Sequence, residues 1–496
     1  MFKKILIANR GEIALRVMRA CRELNILSVA VFSEADRSAP HTRYADEAYF
    51  IGPSPSTESY LRIDKILDVA KKSKAEAIHP GYGFLAENEN FAKAVEGAGI
   101  MFIGPTSKAM ALLGDKTAAR QTMSKAGIPI IPGMEKPLRN EEEAKKIAEK
   151  IGFPILIKAA GGGGGKGMRM VENKSGLQSA LKGAIAEASS AFGNPAVYIE
   201  KYLLHPRHVE IQVLADNFGK VVHLNERECS IQRRYQKMIE ESPCCIMTED
   251  LRRKMGESAK KVAKTAGYTN AGTVEFLVDK NKNFYFLEVN TRLQVEHPVT
   301  ELVTGIDIVK EQIHIASGEK LRLKQEEVWL RGAAIECRIS AEDPDNNFFP
   351  STGRIEEIVD PTGPGIRVES GIFEGYEIPL FYDPLIAKVL AWGRDRQEAI
   401  VRMQRALSEY KIKGIKTTIP FHKRILSHRD FLGGNFDTGF LQKILDTPLP
   451  KEQNEEIAAM AAAIIALKEE ESPIIKESKE TMSNWKKVSR WMMLRR

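Results

Sequence analysis

Cysteine is scarce in this 496-residue sequence, and its five copies (Cys21, Cys229, Cys244, Cys245 and Cys337) form no Cys-x-x-Cys pair. That excludes a disulfide framework and a thiolate metal site, so free thiols in a reducing compartment, the cytoplasm, are expected. Long apolar runs are also missing. None reaches the roughly 18–20 residues that a membrane span needs, and the N-terminal Ile5–Ala8 run meets Asn9-Arg10 before a secretory core can form. Neither charge sign dominates: 73 Lys and Arg stand against 66 Asp and Glu, with no basic block or interleaved aromatics. A nucleic-acid partner is therefore not expected, whereas the net charge of +7 suits small anionic substrates. Two nucleotide-binding signatures are absent as well. The turn after the first strand reads Asn9-Arg10-Gly11-Glu12 rather than GxGxxG, and a Walker A loop at Lys166 fails because Ala160 and Gly167 occupy its Gly and Ser/Thr positions.

Length alone suggests about three domains. Residues 1–114 alternate short apolar runs (KILIA, SVAVF, AEAIHPG, MFIG) with helical periodicity, which predicts an α/β, Rossmann-like parallel sheet without a nicotinamide cofactor. From 115 to 330 the strands become hairpin-like. Residues 331–446 combine short β runs (GAAIECRI, GIRVES, LIAKVLAWG) with the helical RQEAIVRMQRALSEY, predicting a mixed α+β C-terminal domain. Residues 447–496 differ again: the apolar Ile457–Leu467 run, about 16 Å long as a helix, and the basic NWKKVSRWMMLRR are expected to dock a partner.

The run GGGGGKG at 161–167 lies between two apolar strands, Ile155–Lys158 and Met168–Val171. Glycines without Cβ let successive backbone N–H groups converge on phosphate oxygens, so the segment reads as a flap over a polyphosphate. Lys158 ends the strand entering the flap, and Lys116 opens a helix after Gly114-Asp115; both could neutralise phosphate charge. The strand AVYIEKYL offers a backbone edge at Glu200–Leu203 that could read an adenine ring.

In FLEVNTRLQVEHP, a period of two puts Glu288, Asn290, Arg292, Gln294 and Glu296 on one face and Leu287, Val289, Leu293 and Val295 on the other. If Asp279 pairs with Phe284 across the preceding turn, Glu275 lies directly opposite Glu288. Two opposed carboxylates and the Asn290 carbonyl suit a hard divalent cation such as Mg²⁺ or Mn²⁺. In RHVEIQVL, His208, Glu210 and Gln212 share a face; in ECRI, Glu336 and Arg338 do. Arg233, Arg234 and Lys237 crowd one short segment, an anion-binding candidate.

Taken in order, IANRGEIALR, HPGYGFLAEN, GDKTAAR, IKAAGGGGGKGMR, RHVEIQV, QRRYQK, FLEVNTRLQVEHPVTE and ECRISAEDP resemble biotin carboxylase, of the ATP-grasp superfamily, over residues 1 to about 446. The resemblance implies a pre-ATP-grasp domain (1–114), an ATP-grasp domain (115–330) whose glycine-rich lid spans about 130–203, and a C-terminal domain (331–446). It implies ATP contacts from Lys116, Lys158, Gly164, Gly165, Lys166, Glu200, Lys201, Tyr202, Leu203, His208 and Gln232, and metal ligands Glu275, Glu288 and Asn290. Tyr235 stands where the family usually has His near the nucleotide ribose; a phenol can still donate a hydrogen bond there. Lys237, Arg292, Gln294 and Val295 would hold bicarbonate, Glu296 would be the general base that leads to carboxyphosphate, and Arg338 would stabilise the biotin enolate. The family joins biotin to a lysine that follows Met, and no methionine here precedes Lys. A separate biotinylated carrier, a carboxyltransferase subunit and homodimer formation are therefore expected, with pyruvate as final acceptor, or else acetyl-CoA or propionyl-CoA. Another ATP-grasp ligase, such as a carbamoyl-phosphate synthetase half, would require a duplicated chain.

Overall fold

The N-terminal sheet has five parallel strands, β1 (Lys4–Ile7), β2 (Leu27–Ser33), β3 (Glu47–Gly52), β4 (Ala77–His79) and β5 (Met101–Phe102), in the order β3-β2-β1-β4-β5. Ile5, Leu6 and Ile7 are wholly buried, as a strand covered on both faces requires. The edge strand β3 is absent from the sequence reading although Ala48–Ile51 is an apolar run; it is a sheet edge, and along Glu47–Phe50 half-buried residues alternate with exposed ones. Helix Gly11–Glu23 follows β1 through Asn9-Arg10 and packs its apolar face against β1, β2 and the helix Ile308–Ala316.

This computed structural model describes residues 1–134, 137–138, 140–159, 168–192, 196–447, 459–460 and 462–464. Most of the glycine flap, including Gly164, Gly165 and Lys166, and nearly all of the tail (Trp485, Val488 and Met492 included) lie outside the described residues. Met1–Gln442 form one compact unit and Lys443–Arg496 a second. In the second unit the described Met460 and Ile464 are exposed.

Three antiparallel strands, β6 (Ile155–Ala159), β7 (Met168–Val171) and β8 (Val197–Lys201), form a small sheet ordered β7-β6-β8. Ile155, Ile157, Val171 and Ile199 pack against the helices Glu141–Ile151 and Leu177–Phe192. The glycine segment therefore connects paired antiparallel strands, the arrangement read from sequence.

The largest sheet is antiparallel and holds eight strands: β13 (Phe284–Asn290), β12 (Asn270–Val278), β9 (Arg207–Ala215), β10 (Val221–Arg233), β11 (Gln236–Ser242), β14 (Ala333–Ser340), then Leu385–Gly393 and Ile366–Ser370. It runs without a break from the central region into the C-terminal one, because β11 pairs with β14. Val209, Ile211, Val213, Val274 and Phe276 bury one face under helix Glu249–Thr265. The opposite face carries Glu210, Gln212, Thr273 and Glu275, with Glu210 registered on Glu275 and Gln212 on Thr273.

Two sequence expectations need correction here. The polar strand ends at Asn290; Arg292 and Gln294 lie on the irregular segment that follows, and Glu296 sits at the N-cap position of the helix His297–Thr304 without a capping bond, so a non-strand connection rather than alternation delivers these three groups. In the β12–β13 hairpin, Phe284 pairs with Val278 instead of Asp279. A bulge at Leu287 then adds the missing residue and brings Glu275 opposite Glu288 after all.

Candidate active site

A cavity of about 1560 Å³ opens between the polar sheet face, the small three-stranded sheet and the N-terminal region. Every site residue that the family resemblance implies, among the described ones, lines it, except Glu296, which is fully buried.

At its floor lies a buried charge cluster. The Lys237 ammonium donates to Glu210 Oε2 (2.5 Å), Glu275 Oε1 (2.8 Å) and Glu296 Oε1 (2.7 Å). Burial alone would lower the Lys237 pKa, but the three carboxylates outweigh it and raise it well above the ordinary lysine range. Burial likewise pushes Glu296 up, and Lys237, Arg338 and Arg227 more than reverse this, holding its carboxyl well below the usual range. Glu275 is lowered in the same way by Lys237 and His208, whose Nε2 lies 2.8 Å from Glu275 Oε2. Arg338 closes the other side. Its Nη2 donates to Glu296 Oε2 (2.9 Å) and its Nε to Glu240 Oε1 (2.6 Å).

Several cluster members escape a sequence reading of sites. Arg227, wholly buried, donates to Glu210, to Gln212 Oε1 (2.8 Å), to Thr273 Oγ1 (2.9 Å) and to Thr300 Oγ1 (3.0 Å), locking the polar face to helix His297–Thr304. Its signal is a charged residue within a long strand, but NERECS is polar at both parities, so no face stands out. Glu210 is legible as a face-mate of His208; Glu240 carries no signal beyond its strand. Glu87 comes from the N-terminal region, accepting from Thr291 N (2.9 Å) and Arg292 Nε (3.0 Å), and nothing local in the sequence links it to them.

Toward the cavity mouth, Asn290 Nδ2 donates to Glu275 Oε1 (2.7 Å), while Glu288 pairs with Lys116 at 2.8 Å. Arg292 Nη1 donates to Gln294 Oε1 (3.1 Å), and the buried Gln294 Nε2 has no partner among the described residues. Lys158 pairs with Glu200 at 2.5 Å, and Arg120 also donates to Glu200. The Glu200–Leu203 edge is partly committed: Lys201 N donates to Pro132 O, Tyr202 N to Pro154 O, and Lys201 Nζ turns back to the carbonyls of Gly152 and Phe153. His208 Nδ1 lies 3.5 Å from Gln232 Nε2.

The Arg233–Arg234–Lys237 segment does not act as one basic patch. Arg233 stacks on Phe348 and donates to Asn347 O, and Lys237 is buried among carboxylates. Arg234 and Tyr235 form the two-residue β10–β11 turn, both in the left-handed region (φ 48° and 66°), with Tyr235 exposed at the cavity rim.

Among the described residues, the groups of three acidic, His or Cys side chains close enough to hold an ion are His208–Glu210–Glu275 and Glu210–Cys229–Glu296; Glu288 belongs to neither. No described helix is long and apolar enough to cross a membrane.

Comparison with known proteins matches residues 1–110 to the biotin carboxylase N-terminal domain, 115–324 to the ATP-binding domain of carbamoyl-phosphate synthase L chain, and 336–443 to the biotin carboxylase C-terminal domain. The chain is 58% identical over 443 residues to a pyruvate carboxylase subunit of Methanothermobacter thermautotrophicus, covering 89% of this chain and 90% of that one. It is 56% identical over 443 residues to biotin carboxylase 1 of Bacillus subtilis (89% and 98% covered). Among solved structures, the biotin carboxylase domain dimer of Hydrogenobacter thermophilus 2-oxoglutarate carboxylase, in complex with MgADP, ADP and bicarbonate, superposes with a TM-score of 0.83 at 50% identity, over 90% of this chain and 100% of that one.

Proposed function

The chain belongs to the biotin carboxylase family, whose activity is the ATP-dependent carboxylation of biotin, and from that membership we propose that it performs the first half-reaction of a cytoplasmic pyruvate carboxylase. The observation that carries the chemistry is the convergence of Lys237, Glu296 and Arg338 at the cavity floor.

Bicarbonate binds between Lys237, Arg292, the Gln294 Nε2 that has no partner among the described residues, and the Val295 backbone. Glu296 is ionised at neutral pH and accepts the bicarbonate proton. An anion arriving beside Lys237 and Arg338 weakens their hold on Glu296, which makes this carboxylate more basic when substrate is bound. The resulting oxyanion attacks the γ-phosphoryl group of ATP, giving carboxyphosphate and ADP, with Lys116, Lys158 and the flap residues Gly164, Gly165 and Lys166 neutralising the phosphates. Glu200, Lys201, Tyr202, Leu203, His208, Gln232 and Tyr235 surround the nucleoside. Carboxyphosphate then releases CO₂ and phosphate, phosphate removes the biotin N1 proton, and Arg338 balances the charge on the ureido oxygen.

Glu275, Glu288 and the Asn290 carbonyl are the hard oxygen donors that Mg²⁺ or Mn²⁺ prefers, and their placement side by side on β12 and β13 would fit such an ion once ATP draws Lys116 from Glu288. The ion supplies neutralisation of the phosphate oxygens.

No Met-Lys pair occurs in these 496 residues, and we propose that the chain acts on biotin held by a separate carrier, served also by a carboxyltransferase subunit. A homodimer is proposed on the likeness to the domain dimer. Identity to the pyruvate carboxylase subunit favours pyruvate as acceptor over acetyl-CoA or propionyl-CoA. The test is bicarbonate-dependent ATP hydrolysis stimulated by free biotin, followed by reconstitution with biotinylated partner subunits: carboxylation of pyruvate is expected, and turnover only with an acyl-CoA would overturn that assignment.

A further inference from the structure

The strand Leu385–Gly393 contributes a wholly buried lysine that the mechanism above leaves unused. Lys388 lies directly across from Arg338 in the β14 pairing, so the two cations project from the same sheet face. Both reach the same dipeptide. Arg338 Nη2 donates to the Glu296 side chain at 2.9 Å, and Lys388 Nζ donates to the Val295 carbonyl at 2.8 Å. Lys388 Nζ also lies 3.4 Å from Glu12 Oε1 on helix Gly11–Glu23 and faces the Tyr82 ring at 5.7 Å. Its ammonium thus links the C-terminal strand and the N-terminal helix to the segment preceding helix His297–Thr304.

The Val295 carbonyl and the Glu296 N–H belong to one planar peptide. Holding that oxygen sets the plane from which the Glu296 side chain departs, and it fixes Val295 itself, whose other peptide carries the N–H proposed to face bicarbonate. Packing alone does not call for a lysine here, since an apolar residue of similar volume fills a buried site at lower desolvation cost.

We propose that Lys388 is a positioning residue for the carboxylation chemistry, holding the main chain at Val295 so that Glu296, gripped at its side chain by Arg338 and Lys237, meets bicarbonate in register. The inference rests on the reading of Glu296 as general base. The test is steady-state bicarbonate-dependent ATP hydrolysis by the full chain with free biotin, titrating bicarbonate and ATP separately. Lys388→Met should lower kcat/KM for bicarbonate about ten- to a hundred-fold, the range for a misplaced reacting group, and keep the KM for ATP within about two-fold of wild type. Unchanged bicarbonate kinetics, or equal losses for both substrates, would overturn the role.

Should Lys388→Met fold poorly because Glu12 is left without its cation, the double variant Lys388→Met/Glu12→Gln keeps the charge balanced and still lacks the donor to Val295. It should show the same selective loss. Wild-type bicarbonate kinetics in the double variant, or failure of that variant to fold, would overturn the inference. Glu296→Gln separates the two layers: if it retains bicarbonate-dependent hydrolysis, the base assignment fails, whereas its loss beside normal kinetics in Lys388→Met rejects the positioning role alone.

Discussion

Glu275 and Glu288 stand directly opposite one another on β12 and β13, and their carboxylates are held by different partners: Glu275 by Lys237 and His208 in the buried cluster, Glu288 by Lys116 at the cavity mouth. Like charges in register are unfavourable on a sheet. Here each has its own counter-charge, and under the metal site proposed above the pair would become a shared donor set once phosphate competes for Lys116.

That arrangement predicts the behaviour of Glu288→Gln. Glu288 is half-buried at a sheet edge, so the fold should tolerate the change, while ATP turnover should fall by about 10²–10³, the scale for losing one preorganised electrostatic contact. Hydrolysis rates across a Mg²⁺ titration, with melting temperature as a control, measure both effects. Full activity with unaltered metal dependence would reject the pairing.

Glu296→Ala and Arg338→Gln should separate two halves of the reaction. Glu296→Ala removes the proton acceptor and abolishes bicarbonate-dependent ATP hydrolysis. Arg338→Gln should impair biotin carboxylation most, with nucleotide affinity by calorimetry near wild type. Because Arg338 also holds Glu296, hydrolysis should fall as well, with its acid limb moved to higher pH as the Glu296 pKa rises. Equal losses of nucleotide affinity in both variants would count against these roles.

Lys237→Met should change the pH dependence of stability. In the wild type Glu275 and Glu296 lie below the ordinary carboxylate range; their contribution is present above the unfolded pKa and lost as pH falls through the folded one. Without Lys237, Glu275 keeps His208 and Glu296 keeps Arg338 and Arg227, so both carboxyls move up from their wild-type position toward their unfolded values. The stability that the wild type gains above the unfolded pKa shrinks by that difference, and the difference itself disappears as pH falls through the variant's carboxyl values toward the wild-type ones. The melting deficit of Lys237→Met against wild type should therefore be full at about pH 7 and narrow toward about pH 2. A deficit that stays constant over that range would show that Lys237 does not govern the cluster.

Gly164→Val should raise the KM for ATP, because a β-branched residue follows neither a glycine backbone nor a close approach of phosphate. An ATP titration that matches the wild type would remove the flap from phosphate binding.

The sequence by itself determined the local elements and the chemical inventory. Periods of two and 3.6 fixed the parallel N-terminal sheet and the polar face of β9, and the ordered motifs named the family, because these signals depend only on neighbouring residues. It was weaker at the half-exposed edge strand β3, and where a strand stopped short of its pattern, as at Asn290. Only the tertiary structure decided which charges share a partner. Lys237 meets Glu210, Glu275 and Glu296 from three separate segments, Glu87 reaches Arg292 across the chain, and Lys388 meets Val295 because β14 carries the sheet on into the C-terminal strands. Such convergence follows from strand order and from a bulge at Leu287 that shifts one register by a single residue. Both are set by packing over the whole sheet, which no local stretch of sequence encodes.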